Sequence, residues 1–432
     1  MAETTADEGE TNKEMEVAPA LIAVHPLEKF VAVAAGAELR VFDLEGDCPV
    51  TLLDNSGGPF HANSIRAIRF GAKGRLFASA GDDKLVKIWT TDSWRCRHTV
   101  CSEKRVSAVA ISHDGLFVCF ADKFGVVWVV SLDGEEGNQP LVSKKAAPIL
   151  AHYCSIITCL EFSPDGRFII SADRDFKIRV TMFPKKPFKG AHDIQSFCLG
   201  HTEFVSCLAF LCTPDYSLGF LLSGGGDSTV RLWDITSGSL LHTCEVGAQA
   251  ELVESNGEEV CHPAVTAICT FPDSSLIAVA IQSLHGVMLL NCDLSGRTLS
   301  VAKVVSMGDM FIATSLGVSS AGRLWMVTGA SNILGSNFTS LARVKVLAGF
   351  QMSNPDSSEN EPVMLEDANI PGGEKVLEKL QGCVSLAQEE KALAAATEAV
   401  KTAMRNLLIK KHYSVDKREL RKKSRNDRKL KQ

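Results

Sequence analysis

The stretch "GHTEFVSCLAFLCTPDYSLGFLLSGGGDSTVRLWD", Gly200 to Asp234, decides the fold. It opens on a Gly-His dipeptide, passes through alternating apolar runs, turns on Gly224-Gly225-Gly226-Asp227 and closes on Trp233-Asp234. Short alternating runs mark strands, and the Gly/Asp cluster marks a tight turn between them. His201, Ser223, Asp227 and Trp233 are placed to join in one hydrogen-bonded relay. Buried polar groups are tolerable only when satisfied, so such a relay fixes the register of the unit.

This is the signature of a WD repeat, whose period is about 40–45 residues and whose product is one four-stranded propeller blade. Weaker copies lie on both sides. His61 to Thr90 keeps Asp83 and Trp89, and Arg105 to Ser131 keeps Asp122 and Trp128. Ser155 to Thr181 keeps only the turn aspartate, while Leu21 to Gly46 ends in Phe42-Asp43. Ala264 to Asp293 and a degenerate stretch near Ile312 to Leu347 complete the set. Seven copies predict an all-β chain, a seven-bladed WD40 β-propeller over 19–348 with a C-terminal α-helix and a basic tail. The flanks divide into an acidic, disordered N-terminus (1–18), a linker (349–373), a helical segment (374–411) and the tail (412–432). Within the helical segment Leu393, Ala396, Val400, Met404 and Leu407 share one face, in Ala-rich surroundings that favour helix. That face must dock on the propeller itself or on a partner.

Composition excludes several classes of protein. At 432 residues, 45% apolar and 22% charged with a mean hydropathy of +0.08, a real core is available. The net charge of -6 argues against a surface that coats nucleic acid throughout. No window offers the roughly 18 apolar residues of a bilayer span, and "MAETTADEGE" has no secretory features, so no membrane role is expected. The 14 cysteines include no C-x-x-C pair. Three C-x4-C pairs (Cys96/Cys101, Cys154/Cys159, Cys207/Cys212) lack a matching His cluster for zinc. Reduced, buried thiols are the expectation.

Catalytic constellations are not found. There is no nucleophile elbow, H-E-x-x-H, P-loop or G-x-G-x-x-G. Gly224 to Gly226 ends a strand without a following lysine, which makes it a turn rather than a phosphate cradle. His201 and Asp227 belong to the structural relay, and no nucleophile completes a triad with them. Asn337-Phe338-Thr339 matches a glycosylation acceptor, but nothing points to a secretory compartment. The tail from Lys410 to Gln432 carries Lys417, Arg418, Arg421, Lys422 and Lys423 in a dense positive run. A solvated tail, a nuclear address and an RNA phosphate contact all fit it.

The fourth copy, "SADRDFKIRV" (Ser171 to Val180), is the anomaly. Aligned on Ser223 to Asp234, Ser171 falls on Ser223, Asp175 on Asp227 and Arg179 on Arg231, while Thr181 replaces Trp233. Arg40 and Lys87 also share the Arg179 position, so a base there is ordinary. At the positions of Arg174 and Lys177 two other copies have Asp82 and Leu85, or Gly226 and Thr229. Alternation puts Lys177 and Arg179 on one face and Ile178 and Val180 on the other. Such cations need anionic partners, with Asp173 and Asp175 nearby and an acidic partner surface for the remainder.

"FSPDGRFIISADRDFKIRV", followed by "SFCLGHTEFVS", closely resembles the WD-repeat, non-catalytic subunit of tRNA (guanine-N7-)-methyltransferase. The resemblance implies a nuclear, non-enzymatic scaffold that binds and stabilises a catalytic subunit as a heterodimer. That partner would carry the S-adenosylmethionine site and form N7-methylguanosine in the tRNA variable loop, so this chain needs no cofactor and meets tRNA through the complex. The family's contact block carries over to Asp173, Arg174, Lys177 and Arg179. Two departures stand out: Phe176 replaces a glutamate of relatives, and "MFPKKPFKGAHDIQ" (Met182 to Gln195) is longer and more basic. A substrate receptor of a cullin-type ubiquitin ligase is the alternative, although Thr236 stands where adaptor-docking receptors carry arginine. A generic nuclear WD40 scaffold is the other.

Overall fold

The computed structural model describes residues 16–54, 59–132, 146–152, 155–213, 216–247, 263–307, 311–332, 340–350, 361–382 and most of 392–402. Seven antiparallel sheets follow one another along the chain, each running from an inner to an outer strand in sequence order. The first strand of each sheet packs against the first strands of its neighbours, which places these strands around a common axis. Blades 1, 2, 3 and 6 occupy 21–49, 65–101, 106–151 and 265–306. Blade 4 comprises Ile157–Phe162, Phe168–Asp173, Lys177–Met182 and Ile194–Leu199. Blade 5 comprises Val205–Thr213, Tyr216–Gly225, Thr229–Asp234 and Ser239–Glu245.

The inner strands of a blade are covered on both faces, which explains why second strands such as Phe168–Asp173 are buried along their whole length. The core therefore lies between blades. Phe168, Ile170, Ile178, Val180 and Cys198 of blade 4 meet Val205, Leu208, Leu221 and Trp233 of blade 5. The cysteines in the described residues are free, and burial pushes Cys292 to about 11 and Cys198 and Cys207 to about 12, so they stay thiols.

The ring closes with segments from both ends of the chain. In blade 7 the strand Leu324–Ser331 pairs along one edge with two short strands, Ser315–Val318 and Ala18–Pro19. Residues 16–18, assigned from sequence to the disordered N-terminus, thus belong to the fold. Glu16 pins them: its carboxylate lies 3.1 Å from Arg105 and 3.2 Å from Lys123, and Arg66 donates to the Val17 carbonyl at 3.0 Å. Val363–Met364, inside the sequence-assigned linker, adds a short outer strand to the same blade.

The outermost strands of blades 1 and 7 are only two residues long, and helix α1 (Gly373–Gln381) covers the gap they leave. Val376, Leu377 and Leu380 bury against Phe42 and Trp325, and Arg40 donates to the Leu380 carbonyl at 3.1 Å. Gly382 (φ 77°) ends this helix, so the 374–411 segment is not one continuous helix. Helical residues resume between 392 and 402, where Ala392, Ala396 and Val400 pack on Ala330 and Leu341. The helix face therefore docks on its own propeller. Leu393, Met404, Leu407, the glycosylation-like Asn337 and the tail residues Lys417, Arg418, Arg421, Lys422 and Lys423 lie outside the described residues.

Candidate partner-binding site

Blade 5 forms the relay anticipated from its sequence. His201 Nε2 lies 2.7 Å from Ser223 Oγ and Nδ1 lies 2.9 Å from Asp227, while the Trp233 indole donates to Ser223 at 2.8 Å. Burial alone would raise Asp227, but the hydrogen bond and charge of His201 outweigh it and hold the carboxyl below its usual range. Blade 2 repeats the arrangement with His61, Ser79, Asp83 and Trp89.

Blade 4 has a relay too, built differently from the alignment. His152 lies 2.7 Å from Ser171 Oγ and 2.7 Å from Asp173 Oδ2. The relay acid is therefore Asp173, two residues ahead of Asp175, and the turn aspartate of the sequence alignment does not take that role. Asp173 Oδ1 also accepts the backbone N–H groups of Asp175 (2.8 Å) and Lys177 (3.0 Å). With only 1% of its surface exposed, Asp173 is not available to a partner, which corrects its assignment as a contact residue. Blade 3 uses the same shifted position: Asp122 accepts from Trp128 at 2.9 Å. Phe176 (φ 72°) occupies the left-handed turn position held by Lys84 and Ser228 in blades 2 and 5, so the turn itself is unchanged.

The three cations of the block are brought together on the outer part of blade 4. Lys177 is exposed, and Arg174 Nε is buried with no hydrogen-bond partner. Arg179 is half-buried, donates to Thr181 Oγ1 (3.1 Å) and to the Ala151 carbonyl of blade 3 (3.2 Å), and is shifted down by burial. Among the described residues no ion pair holds any of the three; the acids nearest in sequence are Asp173, consumed by the relay, and Asp175, which is half-buried. A desolvated cation without a counter-charge is costly in a free surface and well suited to a carboxylate brought by another molecule.

Two apolar residues complete the surface and were not singled out from sequence. On the outer strand Phe197 pairs with Arg179 and Leu199 with Lys177 in the register. They are 43% and 60% exposed, beside the two cations. Alternation in "IQSFCL" places Phe197 and Leu199 opposite the buried Cys198, a signal that was readable. His152 was also missed, because it follows Ala151 where His201 follows Gly200. Among the described residues no group of three or more His, Cys, Asp or Glu is arranged to hold a metal. No helix there is long and apolar enough to cross a membrane.

This architecture defines a WD-repeat β-propeller. Two solved propellers, "Structure of U3-55K" (TM-score 0.59) and "Crystal structure of RRP9 WD40 repeats" (TM-score 0.58), share the fold at 17% identity, covering 77% and 78% of this chain and 96% of each of theirs. Residues 58–90 match the WD domain, G-beta repeat, and residues 143–328 match the tRNA methyltransferase TRM82 WD40 domain. The protein named tRNA (guanine-N(7)-)-methyltransferase non-catalytic subunit wdr4 of Xenopus laevis is 30% identical over 326 residues, 73% of this chain and 76% of its own. Its Homo sapiens namesake is 35% identical over 226 residues, covering 52% of this chain and 49% of its own. The TRM82 subunit of Meyerozyma guilliermondii is 36% identical over 200 residues, 44% of each chain. The chain belongs to the WD-repeat family of tRNA (guanine-N7-)-methyltransferase non-catalytic subunits. With several of these relatives, the alignment spans about half of their length.

Proposed function

We propose that this chain is a nuclear, non-catalytic scaffold that binds and stabilises a methyltransferase subunit forming N7-methylguanosine in the tRNA variable loop. Its family relatives carry the name of the non-catalytic subunit of that methyltransferase, and the fourth blade supplies a charged and apolar surface. The observation that carries the reading is the group Arg174, Lys177 and Arg179, in no ion pair among the described residues and set beside exposed Phe197 and Leu199. Apolar side chains supply area, and the cations select a partner that brings acids to fixed positions. S-adenosylmethionine and the transferred methyl group belong to the partner in this reading, and tRNA is met through the complex. The basic tail would direct nuclear import or touch the RNA.

Replacing Lys177 and Arg179 by glutamate tests it. The double variant is expected to fold as a propeller, lose co-purification with the catalytic subunit and lose guanine N7 methylation. Truncated interfacial charge pairs cost about 2–5 kcal/mol, and reversal adds repulsion. A double variant that still assembles and supports methylation would remove this surface from the interface.

A further inference from the structure

We infer that the basic insertion of blade 4, Phe183 to Asp193, is an RNA-backbone contact of the assembled complex. The inference rests on the scaffold reading for the identity of the RNA. The insertion joins the third and fourth strands of the blade, so it lies at the opposite end of the strand Lys177–Met182 from Arg174. Six residues at about 3.3 Å each put it roughly 20 Å along the same outer edge. A subunit docked on that edge would hold its own RNA within reach.

The segment is built to present charge. A short 3-10 turn, Pro187–Lys189, is closed by Lys189 and Gly190 N–H groups donating to Lys186 (3.0 Å) and Pro187 (3.0 Å). Ala191 donates to the Ile149 carbonyl at 2.8 Å, and Pro187 and Ala191 are buried, which ties the turn to blade 3. His192 Nε2 sits 3.0 Å from the Lys189 carbonyl. Facing outward are Lys185, Lys186 and Lys189, all exposed and in no ion pair among the described residues, with Phe188 50% exposed among them. Asp193, also exposed, is the one acid of the insertion. Arg167 of the adjoining turn is paired with Asp165 and adds no free charge.

A docking site for an acidic protein would require carboxylates spaced to match three exposed lysines. A polyphosphate backbone offers charge at every residue and releases counterions on contact. An aromatic ring set among lysines fits the stacking of an unpaired base, which is sequence-tolerant because every base has a face. RNA is therefore the partner these residues fit best.

The experiment uses the full chain assembled with its catalytic subunit and an unmodified tRNA transcript. Lys185→Glu/Lys186→Glu/Lys189→Glu is expected to leave assembly intact and to weaken tRNA binding roughly ten-fold or more at about 0.15 M salt. The slope of log affinity against log salt should fall by about 2–3, close to one per lysine. Phe188→Ala should weaken binding by about five-fold or more with the slope unchanged. Intact assembly with an unchanged slope in the lysine variant overturns the inference. Loss of assembly also overturns it, by assigning the insertion to the protein partner. If the unaltered chain captures no catalytic subunit, the scaffold reading fails on its own; the same titration on the chain alone then decides, a lysine-dependent slope supporting the contact and none refuting it.

Discussion

Blades 4 and 5 are neighbours with the same four strands, the same turn and nearly the same relay, yet they treat their charges in opposite ways. In blade 5 the acid Asp227 stands in the turn, where it reaches both His201 (2.9 Å) and Arg231 (3.4 Å). Trp233 fills the space beyond and anchors Ser223. In blade 4 the acid has moved back two residues to Asp173, at the end of the second strand. There it is sealed off and saturated by His152 and two backbone N–H groups. Arg179, at the position of Arg231, finds only Thr181 and a carbonyl of blade 3. Blade 4 keeps a turn acid, Asp175, but its relay runs through Asp173, and among the described residues no ion pair holds Arg174, Lys177 or Arg179. Both blades are stable designs, and only one has charge left over for another molecule.

The comparison breaks first at the tryptophan. Trp233 is fully buried between the two blades and holds the relay serine, so Trp233→Ala should cost about 3–5 kcal/mol of unfolding free energy. Its effect should appear as a large fall in the thermal or urea midpoint. Thr181, at that position in blade 4, is small and buried and accepts from Arg179 Nε, so Thr181→Ala should cost far less. Comparable losses from the two would show that blade 4 depends on Thr181 as blade 5 depends on Trp233.

The acids give the next largest effect. Asp173→Ala strands His152 Nδ1 and two turn N–H groups, each buried or partly buried, and should cost about 1–3 kcal/mol. Asp175→Ala, at the position that the alignment equates with Asp227, should cost less. Melting both variants beside Asp227→Ala checks this. If Asp175→Ala proves the more damaging, the relay runs through the turn aspartate after all.

Much of this was legible in the residues. The relay of blade 5 stood at the spacing the WD pattern demands, and seven alternating segments with Pro-Asp-Gly-like turns counted out the ring. Blade 4 misled because alignment by residue number assumes that a role stays at its place. A carboxylate can approach the same histidine from the strand end or from the turn, and only the backbone says which. The closing strand Ala18–Pro19 is too short to show a period of two, and it is held by Arg66, Arg105 and Lys123, whose meeting with Glu16 is set by the ring. Phe197 and Leu199 were passed over although alternation puts them on one face, and their exposure follows from the outer strand having no further strand or helix laid over that side among the described residues. The charge anomaly at Arg174 and Lys177 was visible, and its cause, an acid consumed elsewhere, was not.

The smallest effect is the most telling. Arg231 is largely buried and paired with Asp227, so Arg231→Met should cost the free chain about 1 kcal/mol as a partly buried charged hydrogen bond is lost. Arg179 is half-buried and makes no ion pair among the described residues, so Arg179→Met removes a burial penalty along with two neutral hydrogen bonds. The free chain should keep its unfolding midpoint or gain slightly, while capture of the catalytic subunit weakens. A residue that the fold does not need and the complex does is what distinguishes a binding surface from a structural one. If Arg179→Met destabilises the free chain as much as Arg231→Met does, the guanidinium is satisfied within the propeller, and the contrast between the two blades loses its functional meaning.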